Sequence, residues 1–339
     1  MSIIISILIF GLVIFVHEFG HFITAKLSGI KVNEFSIGMG PKIIGFNKNE
    51  TEYSVRRLPI GGYVAMEGED EDSEAEGSFS RAPAPTRFVV LVAGAVNNFI
   101  LGFLVLCLLV NMDTAITSKK VSSFYEGART QQTGLMIDDE IIAVNGRKCH
   151  IANDIIYEFA RTQNGTADFT VIRNGVKTEL KGVTFDTVTD ADGNKNLVID
   201  FTVYPIQKNF LTVVDEAARW TLSIARLVFL SLVDLVTGHV AVNQMSGPVG
   251  IVSVISESVS YGFDSVLMIL AMITINLGVF NLIPFPALDG GKVFLLLIEM
   301  LRGKPINPRY ELIINAAGMI VLLGFMAFVT FSDITKLLI

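Results

Sequence analysis

The stretch before position 17 carries no charged side chain and consists mostly of Ile, Leu, Phe and Val. A helix over residues 3–27 is long enough to cross a bilayer, whose hydrocarbon core needs about 20 apolar residues. Within this run stands one group of ionisable residues, His17-Glu18-Phe-Gly-His21. Ionisable side chains inside a membrane helix are costly unless they have partners, so this group indicates a functional site.

His17 and His21 are four residues apart and therefore lie on one face of a helix. Two imidazoles at this spacing bind one metal ion, and the intervening Glu18 lies beside the water that the metal binds. Two of the four histidines in the 339-residue chain have this arrangement. The alternative is a packed or paired group in the protein core. We interpret the pattern as a zinc-hydrolase site within a membrane span.

Composition and three further apolar runs define the class of protein. Hydrophobic residues make up 51% of the chain, charged residues 17%, and the mean hydropathy is +0.55. Soluble domains average about 25% charged residues, so this balance is typical of a membrane protein. Charge-free runs over residues 88–110, about 266–283 and 312–331 predict three more spans. We therefore predict a polytopic α-helical membrane protein with four transmembrane helices.

Basic residues are concentrated between the first two and between the last two predicted spans. They are Lys26, Lys31, Lys42, Lys48, Arg56, Arg57, Arg81 and Arg87, and Lys292, Arg302, Lys304 and Arg309. By the positive-inside rule both segments are cytoplasmic, which places the two termini outside an inner (cytoplasmic) membrane. A cleaved signal peptide is the alternative for the first run. No basic segment precedes that run, and we expect the helix to remain uncleaved.

Residues 31–66 contain short β-type runs, which are separated by glycines and by Pro59-Ile-Gly61-Gly62. We predict small strands associated with the cytoplasmic side of the membrane. A sheet edge near the metal would hold a peptide in extended form by strand addition. A cytoplasmic hairpin without this role is the alternative. Residues 67–76 form an acidic linker to which we assign no chemistry.

Residues 113–207 have the polar, alternating pattern of a soluble domain. A helix is predicted over residues 152–163, and strands flank the tight-turn signal Asn174-Gly175. Residues 133–146 resemble the loop and strand of a PDZ domain, except that Asp138 stands where that family commonly has glycine. The resemblance implies one extracytoplasmic PDZ-like α+β domain. Such a domain binds extended peptide at a sheet edge, as a receptor or as a steric filter.

Residues 210–241 have a helical pattern that charged side chains interrupt, and Trp220 is a candidate interfacial anchor. We predict an amphipathic helix on the outer membrane surface. A fifth span is the alternative, but it would bury arginine in lipid. Ser246-Gly-Pro-Val-Gly250 breaks this helix. The predicted regions are therefore residues 1–112, 113–207, 208–264 and 265–339.

The third span leads into a second group of polar residues, which contains Asn281 and Asp289. A catalytic zinc usually has three protein ligands, and the two histidines provide only two. Asp289 is the best candidate for the third. A solvated helix cap is the alternative role for Asp289, and Glu299 is a weaker candidate ligand. Asn281 is placed to hydrogen-bond a substrate carbonyl or to stabilise an oxyanion.

The depth of Asp289 in the membrane depends on a predicted helix break. The first and third spans run in the same direction, and at about 1.5 Å per residue His17 and Asn281 come to the same depth. An unbroken helix would carry Asp289 roughly 34 Å below the start of its span, too deep to meet the histidines. Pro284 and Pro286 interrupt the helix, and a broken helix is tolerated where it lines a cavity.

Three further features bear on partners and packing. Cys107 lies in an apolar span and Cys149 in a polar domain, so we expect no disulfide between them. Asn97 and Asn98 follow small residues in the second span, and we interpret both amides as helix-packing contacts, with substrate contact as the alternative. A net charge of -7 without a basic, aromatic patch argues against a nucleic-acid partner.

Several motifs together resemble the bacterial site-2 protease family, of the regulator of sigma-E protease type, over nearly the whole chain. They are HEFGH, residues 35–42 and 58–63, the PDZ-like insert, residues 246–250, and Asn281 to Gly290. The resemblance implies that His17, His21 and Asp289 bind Zn²⁺, that Glu18 is the catalytic base and that Asn281 assists with substrate. Ala95, where the family often has proline, is a departure with little bearing on the chemistry.

The resemblance also implies the activity and the substrates. The family members are intramembrane zinc metalloproteases that act in regulated intramembrane proteolysis. Their substrates are single-span membrane proteins already trimmed outside, such as anti-sigma factors or remnant signal peptides, and the PDZ domain excludes untrimmed ones. Two rival interpretations are a membrane metal transporter and a catalytically inactive PDZ-bearing scaffold. A transporter needs neither Glu18 nor a peptide-binding domain.

Overall fold

The computed structural model describes residues 2–69, 73–162, 164–189, 195–238, 247–304 and 306–338. The helices are α1 Ser2–Leu27, α2 Ala84–Met112, α3 Arg129–Gln132, α4 Ala152–Ala160, α5 Phe210–Val236, α6 Pro248–Tyr261, α7 Phe263–Leu282, α8 Asp289–Arg302 and α9 Pro308–Leu338. The strands are β1 Val32–Lys48, β2 Thr51–Met66, β3 Ile116–Phe124, β4 Glu140–Val144, β5 Arg147–Lys148, β6 Thr166–Arg173, β7 Val176–Thr184, β8 Asp186–Thr189, β9 Lys195–Val198 and β10 Phe201–Ile206. The chain forms two compact units, one of Met1–Val105 with Ile224–Ile339 and the other of Leu106–Ser223.

Four helices of the described residues, α1, α2, α7 and α9, are long and apolar enough to cross a membrane. They contain the four charge-free runs of the sequence, so the prediction of four helices able to span a membrane is confirmed. Helix α5 has 27 residues but is not among these helices. Charged side chains lower its hydropathy, and the fifth span considered above gains no support. Its position on the membrane surface stays a prediction.

Helix α1 ends in a Schellman motif, in which a left-handed residue closes the last turn. Gly29 has φ +76°, its N–H donates to the carbonyl of Lys26 at 3.2 Å, and the N–H of Ile30 donates to the carbonyl of Ala25 at 2.9 Å. Glycine suits this position because a Cβ makes positive φ unfavourable. Ile30 and Ala25 are both buried in one apolar cluster. The chain therefore leaves α1 at a defined angle and enters the first strand.

Strands β1 and β2 form an antiparallel hairpin that folds back on itself. The pairing is repeated, since Glu34 pairs with both Ala65 and Glu52, and Tyr53 pairs with both Phe35 and Phe46. Segments 62–66, 32–37, 52–55 and 44–48 therefore lie side by side in that order. The β-structure predicted over residues 31–66 is present, as two strands of 17 and 16 residues that irregular register divides into short paired segments.

The break after α7 is confirmed, since α7 ends at Leu282 and α8 begins at Asp289. The two prolines between them stop the hydrogen-bond ladder of the helix. The following basic segment, for which no helix was predicted, contains α8, a helix of 14 residues. Its apolar residues Val293 and Leu296 are three apart and pack into the cluster that contains Ala25. This face, rather than the basic residues, determines the structure of the segment.

The break predicted in region 208–264 separates helices α5 and α6. Pro248 is at the start of α6, where its fixed φ and missing N–H are tolerated. Ser246 of the predicted motif lies outside the described residues. The carboxylate of Asp333, in α9, accepts a hydrogen bond from the first turn of α6. Its Oδ2 accepts from the N–H of Gly250 at 2.8 Å, and Asp333 is 4% exposed.

The second unit is built on an antiparallel sheet with strand order β10-β3-β4-β6-β7, to which β5 adds on β4. Its core contains Phe159, Phe169 and Val171. The predicted tight turn joins β6 to β7, with φ +51° at Asn174 and +78° at Gly175. The predicted helix at 152–163 is shorter, because α4 ends at Ala160, and position 163 lies outside the described residues. Asp138 has φ +69°, the conformation that glycine in its place would take.

Neither cysteine is part of a disulfide, as expected from the sequence. Cys149 is 3% exposed within the core of the second unit. Burial, followed by the charges of Asp154 and Glu158, raises the pKa of its thiol to about 12. The thiol is therefore neutral at physiological pH and has a packing role.

Candidate metal centre

Three side chains from two distant parts of the chain meet inside the first unit. Nε2 of His17 lies 3.3 Å from Nε2 of His21, and both nitrogens lie 3.2 Å from Oδ2 of Asp289. The histidines are 8% and 7% exposed. These three residues are the group of potential metal ligands found in the described part of the chain. The convergence of α1 with the start of α8 that the sequence predicted is therefore present.

The geometry of these three atoms fits a zinc ion. A tetrahedral ion with ligand bonds of about 2.0–2.1 Å separates its ligand atoms by about 3.3–3.4 Å, close to the measured distances. When both imidazoles are neutral and carry their protons on Nδ1, the two Nε2 atoms and the carboxylate oxygen present only lone pairs to one another. A cation supplies the missing partner. Two nitrogens and one oxygen form a donor set that zinc accepts, and it leaves a fourth position for water or substrate.

Helix α1 fixes the ligand atoms of both histidines through its i, i+4 spacing and through contacts to α2. The imidazole of His21 donates from Nδ1 to the carbonyl of Val90 at 2.8 Å, which leaves Nε2 as the lone-pair nitrogen. Nδ1 of His17 lies 3.2 Å from the amide of Asn98. A metal-binding histidine is commonly oriented by a hydrogen bond to its other ring nitrogen. Both rings have such a partner on the same neighbouring helix.

Two glycines allow α1 and α2 to approach each other at the metal centre. A Cβ on Gly20 would lie 2.8 Å from the carbonyl carbon of Ala93. A Cβ on Gly94 would lie 2.6 Å from Cε1 of His17 and would overlap Nε2 of His21. The small residues of the second span were interpreted as a packing feature. Gly94 has a second role, because its missing side chain leaves the space that the imidazoles occupy.

The loop between α7 and α8 brings Asp289 to the histidines. Cβ atoms on Gly290 and Gly291 would lie 2.6 Å from the carbonyl carbon of Leu282 and 2.9 Å from that of Phe285, so the loop folds tightly onto the start of α8. Ala287 has φ +74°, an uncommon value for a residue with a side chain. Asp289 is the first residue of α8, where the N–H groups of the helix stabilise a negative charge.

The other residues that the sequence predicted for the site are not among the three candidate ligands. Glu18 lies beside the hairpin, since a Cβ on Gly62 would be 3.3 Å from Cγ of Glu18. Asn281 is 8% exposed near the end of α7, and in the described chain no hydrogen bond joins it to the three ligands. Glu299 is excluded as a ligand, because it pairs with Arg87 at 2.9 Å. Asn97 donates to the carbonyl of Val16 at 3.3 Å, a helix-packing contact as expected.

The sequence did not indicate the roles of three residues at or near the centre. Asn98 was interpreted as a helix-packing contact with substrate contact as the alternative, Gly94 was treated as one of the small packing residues, and Asn315 of α9 was not considered. Oδ1 of Asn315 accepts from the N–H of Ala287 at 3.3 Å, two residues before Asp289. Polar residues in an otherwise apolar span were the available signal. Their partners depend on how the helices rotate against each other, which periodicity alone does not determine.

Comparisons with known proteins agree with this centre. A sequence profile described as "Peptidase family M50" matches residues 5–325. The chain is 36% identical to "Putative zinc metalloprotease FN1322" of Fusobacterium nucleatum, over 99% of both chains. It is 30% identical to "Regulator of sigma-W protease RasP" of Bacillus subtilis and 31% identical to "Zinc metalloprotease RasP" of Bacillus licheniformis, each over 99% of both chains. With a profile match across nearly its whole length, this chain belongs to peptidase family M50.

Proposed function

We propose that this chain is an intramembrane zinc metalloprotease that cleaves peptide bonds within the spans of pre-trimmed single-span membrane proteins. The observation that carries the proposal is the cluster of His17, His21 and Asp289 between helices long and apolar enough to lie in lipid. Zinc bound there would activate a water molecule and polarise the scissile carbonyl. The relatives named as zinc metalloproteases support zinc as the cofactor.

Two side chains, Glu18 and Asn281, have the remaining catalytic roles. Glu18 takes the proton of the attacking water and returns it to the leaving amine, as a general base and then a general acid. Asn281 holds the substrate carbonyl or the developing oxyanion with its amide, after substrate has entered. The apolar spans exclude bulk water, which strengthens these interactions.

A substrate helix must unwind before cleavage, because its carbonyls are already hydrogen-bonded within the helix. We propose that segment 62–66 receives the unwound chain by strand addition. This segment pairs with 32–37 on one side, and no other strand of the described residues pairs with it. Gly62 in this segment lies against Glu18. A substrate strand on this edge would run close to the catalytic base.

The remaining functional assignments extend the same proposal. The relative named as a regulator of sigma-W supports anti-sigma factors as substrates, with remnant signal peptides as a second class. The distribution of lysine and arginine supports a multi-pass protein of the inner membrane with both termini outside. We propose that the 113–207 domain is PDZ-like and extracytoplasmic, and that it acts on substrates as a receptor or a filter.

Replacement of Glu18 by Gln tests the function. Wild-type protein in lipid vesicles is expected to cleave a single-span peptide within its span and to hold about one zinc ion per chain. Glu18→Gln should keep zinc but lose about 10²- to 10⁴-fold in cleavage rate, since the general base is gone. His17→Ala should lose both. A transporter would retain zinc transport in Glu18→Gln, and an inactive scaffold would show no cleavage by wild type.

A further inference from the structure

Asn98 of α2 has a buried amide with one contact and one unpartnered atom. The residue is 0% exposed, and its Nδ2 lies 3.2 Å from Nδ1 of His17. Its Oδ1 has no hydrogen-bond partner in the described chain. A buried carbonyl oxygen without a donor destabilises the folded state. The orientation of this amide, with its nitrogen toward His17, therefore depends on which nitrogen of His17 carries the proton.

The chemistry of His17 defines what the amide must supply. Nε2 of His17 is the atom that faces His21 and Asp289, at 3.3 and 3.2 Å. A neutral imidazole that offers its Nε2 lone pair to a metal carries its proton on Nδ1. Nδ1–H then needs an acceptor. An amide NH₂ cannot accept, so the present orientation would place two donors against each other.

Exchange of the amide oxygen and nitrogen removes this conflict. The two ends of an Asn amide have nearly the same shape, so their assignment follows from the hydrogen-bond network. A half-turn of the amide places Oδ1 at hydrogen-bond distance from Nδ1–H. No second hydrogen bond of the Asn98 side chain, within the described residues, opposes this exchange. The oxygen thereby gains a donor while the NH₂ turns to the side that gives it no partner among the described residues, so the orientation follows from the tautomer of His17 and not from the number of partners.

We propose that Asn98 is a positioning residue for the metal centre, whose amide oxygen accepts Nδ1–H of His17. This inference rests on the proposed zinc site. Asn98 selects the tautomer of His17 that presents Nε2 and fixes the plane of the ring. The carbonyl of Val90 does the same for His21, at 2.8 Å. The second span thus orients both imidazoles, and its polar residue contributes to metal affinity without contacting the ion.

The substitution Asn98→Leu tests this role, because leucine has a similar size and no acceptor. Loss of the outer partner of a ligand lowers metal affinity by about 10- to 100-fold. We expect that loss for Asn98→Leu, measured on purified full-length protein in detergent by competition for zinc with a chelator. Asn97→Leu is the matched control, since it removes the neighbouring amide and its bond to the Val16 carbonyl. The control should bind zinc within about threefold of wild type, because it leaves both imidazole partners in place.

The substitution Asn98→Asp distinguishes an acceptor from a donor. A carboxylate only accepts, and carboxylate–histidine–zinc arrangements are common. Asn98→Asp should retain wild-type zinc affinity within about threefold and the absorption spectrum of the cobalt-substituted wild type. This variant decides the matter even if Asn98→Leu does not fold.

The inference is overturned if Asn98→Leu binds zinc as wild type does. It is also overturned if Asn98→Asp binds as weakly as the leucine variant, since the amide would then act as a donor or only in packing. These outcomes leave the proposed function intact as long as wild type holds zinc. A folded wild-type protein without zinc overturns both.

Discussion

The side chain of Asn315 holds the backbone of Ala287, because its Oδ1 accepts the Ala287 N–H at 3.3 Å. This bond links α9 to the loop that carries the candidate ligand Asp289. Helix α9 also packs closely on the same loop, since a Cβ on Gly318 would lie 2.8 Å from the carbonyl carbon of Pro286. The last span therefore supports the metal centre although it contributes no ligand.

Asn315→Leu should weaken the centre without unfolding the chain. The loss of a hydrogen bond that supports a ligand loop is expected to lower zinc affinity by about tenfold, within the range of outer-partner substitutions. Chelator competition measures the affinity, and thermal unfolding in detergent measures the fold. Thr330→Val, about four turns further along α9, is the control, because it removes only a side-chain bond to the Met326 carbonyl of the same helix. Equal zinc affinity in Asn315→Leu and wild type would show that the loop keeps its conformation without the hydrogen bond from Ala287 to Asn315.

Gly94→Ala should abolish zinc binding, because the added methyl group overlaps Nε2 of His21 and lies 2.6 Å from Cε1 of His17. Real Cβ atoms do not tolerate such distances, so at least one imidazole must move away. Zinc content per chain after gel filtration gives the result. Gly11→Ala in α1 is the control, since nothing lies within 4 Å of its added methyl group. Zinc retention in Gly94→Ala would contradict the close approach of α2.

Glu34 should make the stability of the hairpin depend on pH. Burial opposes ionisation of Glu34, but hydrogen bonds from Ser54, Tyr63 and Arg56 outweigh it and lower its pKa below the usual 4.5. A carboxyl whose pKa is lower in the folded state stabilises the fold above the unfolded pKa. That contribution is lost as pH falls from the unfolded pKa through the lower folded pKa.

Thermal unfolding of wild type and Glu34→Gln checks this expectation from neutral pH down to about two pH units below the unfolded pKa of Glu, which is about 4.3. The difference in Tm between the two should be largest at neutral pH and should shrink on acidification. Glu52→Gln is the control, because in the described part of the chain the ion pair of Glu52 is with Lys42, whose side chain is 49% exposed. A difference between wild type and Glu34→Gln that is constant across this range would contradict the role of the charge.

Glu299→Gln should destabilise the protein and leave zinc binding unchanged. Oε2 of Glu299 pairs with Nη2 of Arg87 at 2.9 Å, and the two side chains are 12% and 20% exposed. Removal of one partner leaves a largely buried charge unpaired, which costs about 1–3 kcal/mol at this partial burial. The Tm and the zinc content report the two effects. Glu74→Gln, at the exposed pair with Arg81, should change neither. Zinc loss in a folded Glu299→Gln would return Glu299 to the candidate ligands.

The sequence predicted the four apolar helices and the convergence of His17, His21 and Asp289 because both depend on local rules. Charge-free runs of sufficient length specify spans, and the i, i+4 spacing of His17 and His21 specifies a shared helix face. Asp289 followed from the number of ligands that zinc takes and from two prolines that break the helix. Each of these inferences uses residues that are close together in the chain, or a count that chemistry imposes.

The features that the sequence missed depend on tertiary contacts. Repeated pairing in the hairpin arises from irregular register, which strand propensity does not encode. Helix α8 was obscured by its basic residues, although Val293 and Leu296 determine its packing. The partners of Asn98 and Gly94 follow from the rotation of α2 against α1. These contacts exist only once the spans have assembled.

His21 and Asp289 are 268 positions apart in the chain. During synthesis the imidazoles enter the bilayer long before the ribosome has made the carboxylate. On the proposed function, a nascent polypeptide therefore carries only two of its three zinc ligands and cannot attack neighbouring membrane proteins, or itself. On this proposal the chain becomes able to cleave peptide bonds only after translation has passed α8. The order of the ligands in the sequence therefore delays the onset of proteolysis until synthesis is almost complete.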